Sequence, residues 1–208
     1  MENVPKIRRV VTGHDENGRA VVKIDEVCSH FRPGRGNAFV CNVWTTDTSP
    51  ASNDGDEDGG KRPGKFSTIE NGSVFRILDF RPGLERRVHR TNSIDYIVVM
   101  SGEIDMELET GEEVHLQAGD VMVQRGTVHN WINRGTETCV LAVILIHANP
   151  VQAGGQALEY FKSINDDKVV PKSVWEKKDS TSFLPPLAMM VSGKNISLNH
   201  SWNDESEV

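Results

Sequence analysis

No run of apolar residues in this 208-residue chain approaches the length that crosses a bilayer. The longest, Cys139 to Ile146, has the length of a strand. Basic residues are outnumbered, 23 Lys and Arg against 30 Asp and Glu, and nowhere concentrate into a patch, which argues against a nucleic-acid partner. Cysteine is scarce: Cys28, Cys41 and Cys139 are an odd, scattered set without metal-finger spacing. The segment Met1 to Arg9 lacks the apolar run of a secretory signal. Together these absences predict a cytoplasmic protein in a reducing compartment, without membrane or nucleic-acid partners. What is present is enough chain for one domain of moderate size, with a net charge of −7.

β-prone runs dominate. Ile7 to Val11 and Ala20 to Ile24 flank the turn-rich segment Thr12 to Gly18 and predict a hairpin. Asn37 to Thr46 reads as a further strand. Asp47 to Lys65 is acidic, glycine-rich and aperiodic, which predicts a flexible surface loop whose residues 51–62 are dispensable for stability. From Ser73 onward, short runs alternate with turns. Ser73 to Phe80, Tyr96 to Met100, Ile104 to Glu109, Val114 to Leu116, Val121 to Val123, Asn130 to Ile132 and Val140 to Ile146 predict an all-β sandwich or barrel. Alternation puts Ile104, Met106 and Leu108 on one face and turns His115 outward. Past Pro150, the spacing of Ala157, Leu158, Phe161 and Ile164 predicts a short helix over Gln156 to Asn165. An irregular tail from Asp179 is expected to follow it. The chain thus divides into residues 1–72 (strands and acidic loop of the same domain), 73–150 (barrel) and 151–208 (helix and tail).

Two motifs stand inside the barrel segment. The first runs from Gly83 through His89, Thr91 and Asp95 to Gly102; the second from Gly119 through Gly126 and His129 to Asn133. The pair resembles the two signature motifs of the cupin superfamily. The resemblance implies a double-stranded β-helix (jelly-roll barrel) with an N-terminal strand extension and a short C-terminal helix, assembled as a homodimer. It also brings the two motif faces opposite each other in the barrel mouth. In cupins the first motif supplies two histidines and a glutamate as metal ligands, and the second supplies one histidine. By position, His89, Asp95 and His129 match three of these, while Thr91 stands where the second histidine would be. Arg125 replaces a proline, and the second motif is one residue short before Gly126.

Three readings of His89, Asp95 and His129 follow. They hold a divalent metal (iron, zinc, manganese or nickel), as the ligand set allows. They work without metal as base, acid and orienting carboxylate. Or they are satisfied polar residues of a binding barrel. Arg87 has the parity of His89 and either holds a substrate carboxylate or lies at a surface or dimer interface. Thr91, Gln124, Trp131 and Asn133 line a substrate site, although Gln124 and Asn133 are equally suited to closing a strand end. Tyr96, of opposite parity to Asp95, is expected in the core. His14, His30, His147 and His200 have no partner by spacing. Cupins with these features resemble accessory enzymes of fungal and bacterial small-molecule biosynthesis. The class expected first is a lyase, a decarboxylase or dehydratase, acting on an organic-acid or polyketide-like intermediate. The alternatives are a non-haem iron dioxygenase and a non-catalytic ligand-binding cupin.

Overall fold

The computed structural model describes residues 5–162, apart from 36–37, 65–66 and 159–160. Its elements are strands and one short 3-10 turn at Gly59–Lys61. In chain order the strands are β1 (Arg8–His14), β2 (Ala20–Val27), β3 (Arg32–Pro33), β4 (Phe39–Thr46), β5 (Ser73–Phe80), β6 (His89–Arg90), β7 (Ser93–Ser101) and β8 (Glu103–Leu108). β9 (Glu113–Gln117), β10 (Val121–Arg125), β11 (His129–Ile132), β12 (Cys139–His147), β13 (Val151–Ala153), β14 (Gln156–Leu158) and β15 (Phe161–Lys162) follow.

The alternation of the sequence makes the two walls. A six-stranded sheet, β10-β7-β12-β5-β4-β3, faces a five-stranded sheet, β15-β6-β11-β8-β9. Along β7, Asp95, Ile97 and Val99 are buried while Tyr96, Val98 and Met100 are exposed. β12 buries Leu141, Val143 and Leu145, and β8 buries Ile104 and Met106. These side chains, with Val74, Phe80, Leu116 and Trp131, form the core between the sheets. Each buried Leu or Ile contributes roughly 1.5–3 kcal/mol through the water it leaves. The result is a jelly-roll barrel, the expected fold class. Gly102, at φ +73, makes the β7–β8 turn, where a Cβ would lie 2.6 Å from Thr138 O.

Three local expectations change. The segment read as a helix is extended: β13 pairs with β14, and Phe161–Lys162 pairs with β6. Gly154 and Gly155, both at positive φ, turn β13 back onto β14, so the chain there pairs as a hairpin instead of coiling. The rest of that segment and the tail lie outside the described residues. Tyr96 is 46% exposed rather than in the core, because odd-numbered residues of β7 take the inward face. The acidic loop is anchored at its end. Asp58 accepts two hydrogen bonds of 2.7 Å from the buried guanidinium of Arg9, which also donates to Glu26 at 2.5 Å and to Val43 O. Asp58 caps the 3-10 turn through Gly60 N, and a Cβ on Gly60 would strike Arg9. The expected hairpin forms, as β1 paired with β2 in a sheet of its own.

Candidate active site

His89 and His129 are direct register partners on adjacent strands, β6 and β11. They are neighbours in one sheet, not opposite walls, and their ring centroids stand 4.2 Å apart. Each ring is oriented in the same way. Nδ1 of His89 lies 3.1 Å from Arg87 O, and Nδ1 of His129 lies 3.0 Å from Thr127 O. A carbonyl accepts only, so each Nδ1 carries the proton and each Nε2 keeps a bare lone pair. Burial pushes His89 down to about 2, helped by the neighbouring His129 and Arg87. Burial also pushes His129 down to about 4, against the Thr127 hydrogen bond, with Arg35 and Arg87 adding to the effect. Both rings are therefore neutral near pH 7.

Asp95 occupies the facing sheet, on β7, paired in register with Gln124 of β10. Burial raises its carboxyl to about 6; a hydrogen bond from Ser93 and the charge of Arg76 act the other way. Ser93 Oγ lies 2.5 Å from Asp95 Oδ1 and 2.8 Å from Thr91 Oγ1. Parity along the strand aligns Thr91, Ser93 and Asp95 as a buried hydroxyl–hydroxyl–carboxyl row. Thr91 thus serves the carboxylate through Ser93.

Three guanidiniums line the cavity with these groups: Arg35, Arg76 and Arg87. Burial lowers Arg35 to about 10, with repulsion from Arg87 adding to it. Burial likewise lowers Arg76 to about 10. Both stay charged at neutral pH. Arg35 donates to Trp131 O at 3.0 Å and Asn130 Oδ1 at 3.3 Å, and lies over the Phe80 ring. Asn130 Oδ1 also accepts from Arg87 N at 2.9 Å, fixing the approach to His89. Arg87 Nε is buried without a partner.

Of the predicted site residues, His89, His129, Asp95, Arg87, Thr91, Gln124 and Trp131 line one cavity of about 120 Å³. Asn133 does not. Its amide donates to Phe80 O and Glu137 O and its Oδ1 accepts from Gly135 N, so it closes the turn after β11. Gln124 donates weakly to Thr127 Oγ1, while its Oε1 is buried with no partner. Thr91 and Gln124 also border an outer groove of about 790 Å³, walled by Met106, Leu108, Val114 and Met122. Arg35, Arg76, Ser93 and Asn130 were missed. The alternation of β5, Val74-Phe-Arg76-Ile-Leu78, could have revealed Arg76 as inward; Arg35 lies outside both motifs and carries no such signal.

A metal bound as the resemblance implies needs its ligand atoms gathered in one coordination sphere. Among the described residues, the group of His, Cys, Asp or Glu side chains with ligand atoms all within 4.8 Å is Cys28, His30 and Cys41. His89, His129 and Asp95 do not form such a group. Two imidazole nitrogens fall short of the three protein ligands that a catalytic site takes. The donor set does not fit a three-ligand ion.

A family model described as "Cupin domain" matches residues 76–146. Over 162 residues the chain is 35% identical to the "Cupin-domain-containing oxidoreductase fogC" of Aspergillus ruber, covering 74% of this chain and 79% of that one. It is 36% identical over 179 residues to "Phomopsin biosynthesis cluster protein D" of Diaporthe leptostromiformis, covering 80% and 94%. "Oryzines biosynthesis cluster protein J" of Aspergillus oryzae is 34% identical over 165 residues, covering 76% and 92%. Among the described residues, no helix is long and apolar enough to cross a membrane.

Proposed function

This chain belongs to the cupin family, and we propose that it is a lyase of small-molecule biosynthesis that dehydrates or decarboxylates a carboxylate-bearing intermediate. The observation that carries this reading is the charge of the cavity. Three guanidiniums face one carboxyl group and two neutral imidazoles in about 120 Å³. Such a space attracts an anion and holds it by charge-assisted hydrogen bonds. The inner cavity takes the polar, reacting end of the substrate. The outer groove, lined by Met106, Leu108 and Met122, takes an apolar remainder.

The imidazoles are weak bases in the empty cavity, because burial and the guanidiniums oppose their protonation. A bound anion offsets that positive field and raises their basicity where the substrate lies. Nε2 of His89 or His129 then takes a proton adjacent to a carbonyl or carboxylate. Asp95, protonated below about pH 6, delivers a proton from the facing wall to the departing hydroxyl. Base and acid on opposite walls favour dehydration over decarboxylation: one C–H and one C–O bond break, a C=C bond forms and water leaves. Gln124 Oε1, buried and unpartnered, is placed to accept from a substrate hydroxyl.

A second reading draws on the relatives, since the Aspergillus ruber protein is named an oxidoreductase. Incubation with pathway-derived β-hydroxy acids, followed by mass spectrometry and an oxygen electrode, tests both. Loss of water without oxygen uptake supports the lyase. Oxygen consumption with iron found by elemental analysis overturns it in favour of the oxidoreductase. Tight binding without turnover indicates a binding protein.

A further inference from the structure

Cys41 lies on β4 with the parity that points away from the cavity, which its neighbour Val40 lines. Its sulfur is nonetheless fully buried, because the chain after β2 folds over it. That chain brings Cys28 and His30. The two cysteines, which look scattered in the sequence, and a histidine with no partner by spacing meet here. Both thiols are free.

We propose that Cys28, His30 and Cys41 form a structural site for a thiophilic d10 cation, zinc, that pins the N-terminal hairpin to the barrel. One ligand atom from each residue lies within 4.8 Å of the other two. Cys41 Sγ is 3.6 Å from His30 Nε2. Donors arranged tetrahedrally about zinc, with bonds of about 2.0–2.3 Å, stand roughly 3.5–4 Å apart, so closure needs shifts of about 1 Å. His30 supplies the independent sign. Its Nε2 lies 2.8 Å from Asn42 O, and its Nδ1 is buried with no partner. With the proton on Nε2 the buried Nδ1 lone pair is unsatisfied; with the proton on Nδ1 the Nε2 lone pair faces Asn42 O and Cys41 Sγ, and a cation held at Nε2 beside that sulfur relieves it.

Access exists. A pocket of about 240 Å³ lined by His30, Arg32, Asn42 and Lys61 opens beside the imidazole and has room for a solvent molecule as fourth ligand. Binding replaces the two thiol protons, which leave to solvent, and the resulting thiolates neutralise the dication. Because Cys28 follows β2 and Cys41 sits in β4, the ion would bridge two separate sheets. Its contribution is to stability, not to the chemistry at His89 and His129.

The test uses the full chain, stripped with chelator under reductant, then titrated with zinc or cobalt. One equivalent per chain is expected, with thiolate-to-cobalt charge-transfer absorption in the near ultraviolet and a melting temperature that rises with free zinc. Cys28→Ser and Cys41→Ser should each lower affinity by at least tenfold, while Cys139→Ser and His129→Ala keep it. The cobalt spectrum of the unaltered chain decides the matter even where a variant fails to fold. Absence of thiolate absorption while three thiols remain titratable overturns the proposal. So does binding abolished by His129→Ala but not by Cys28→Ser. A Cys28–Cys41 disulfide in protein isolated without reductant, with no zinc uptake after reduction, also overturns it.

Discussion

An imidazole with one nitrogen tied to a carbonyl and the other bare is a base waiting for a reason to act. His129 is 2% exposed and contributes its ring edge to Trp131, yet its Nε2 has no structural duty. His129→Ala is therefore expected to reduce turnover by about 10²–10⁴, the usual worth of general acid–base catalysis. Circular dichroism should show the barrel retained, with a stability loss of about 1–3 kcal/mol for the emptied space. Unchanged turnover would remove the ring from the mechanism. Asp95 has the opposite logic. Its carboxyl is raised to about 6, so the acid form that donates the proton disappears as pH rises through that value. The rate should fall on that alkaline limb, and Asp95→Asn should abolish activity at all pH values. Linkage gives the same group a second signature. A raised carboxyl contributes stability below the unfolded value of about 4, lost as pH climbs through about 6, so Asp95→Asn should flatten stability over that window. His89, Asp95 and His129 were legible as residues because the motif spacing names them. Their arrangement was not: adjacency of the two imidazoles depends on β6 pairing with β11, a contact between distant segments.

At the scale of elements, the acidic loop changes character at its last acidic residue before the glycines. Asp47 and Asp56 make ion pairs with Arg62 and Lys23. Such exposed pairs contribute little, about 0–1 kcal/mol each. Asp58 differs because its partner, the Arg9 side chain, is 0% exposed. Removing one member leaves a buried charge short of partners, at a cost of about 3–5 kcal/mol. Asp58→Asn, and deletion of residues 51–62, should lower the urea midpoint by a corresponding amount, whereas Asp56→Asn should leave it unchanged. The pH dependence follows from the same pair. The Arg9 hydrogen bonds hold Asp58 at about 2, so its stabilisation is present above the unfolded carboxylate value of about 4. That stabilisation disappears as pH falls through about 2. Composition alone made this loop look dispensable, because glycines and acids carry no periodicity from which an anchor 49 residues away could be read.

At the scale of the whole molecule, the outer face of the six-stranded sheet is apolar. Tyr96, Val98, Met100, Val121, Val123 and Ile146 are all at least 38% exposed, and β7 pairs Val98 with Val121 and Tyr96 with Val123. We propose that a second copy of the chain covers this face, as the homodimer expected from the resemblance to cupins. Sedimentation should return a dimer mass that Val121→Glu with Val123→Glu reduces to a monomer; a monomer in the unaltered chain ends the idea. The sequence by itself determined an all-β sandwich or barrel, because alternation and turn residues act locally and repeat every few positions; the cupin kind came from the resemblance of its two motifs. Its motif spacing also picked out His89, His129 and Asp95 as candidates, and these line one cavity. Only the tertiary structure decided that the imidazoles share one sheet while Asp95 stands across the cavity, and that Arg35 and Arg76 join them. It alone brought Cys28, His30 and Cys41 together. Those juxtapositions come from strand pairing and sheet closure over long separations, which no local pattern of residues encodes.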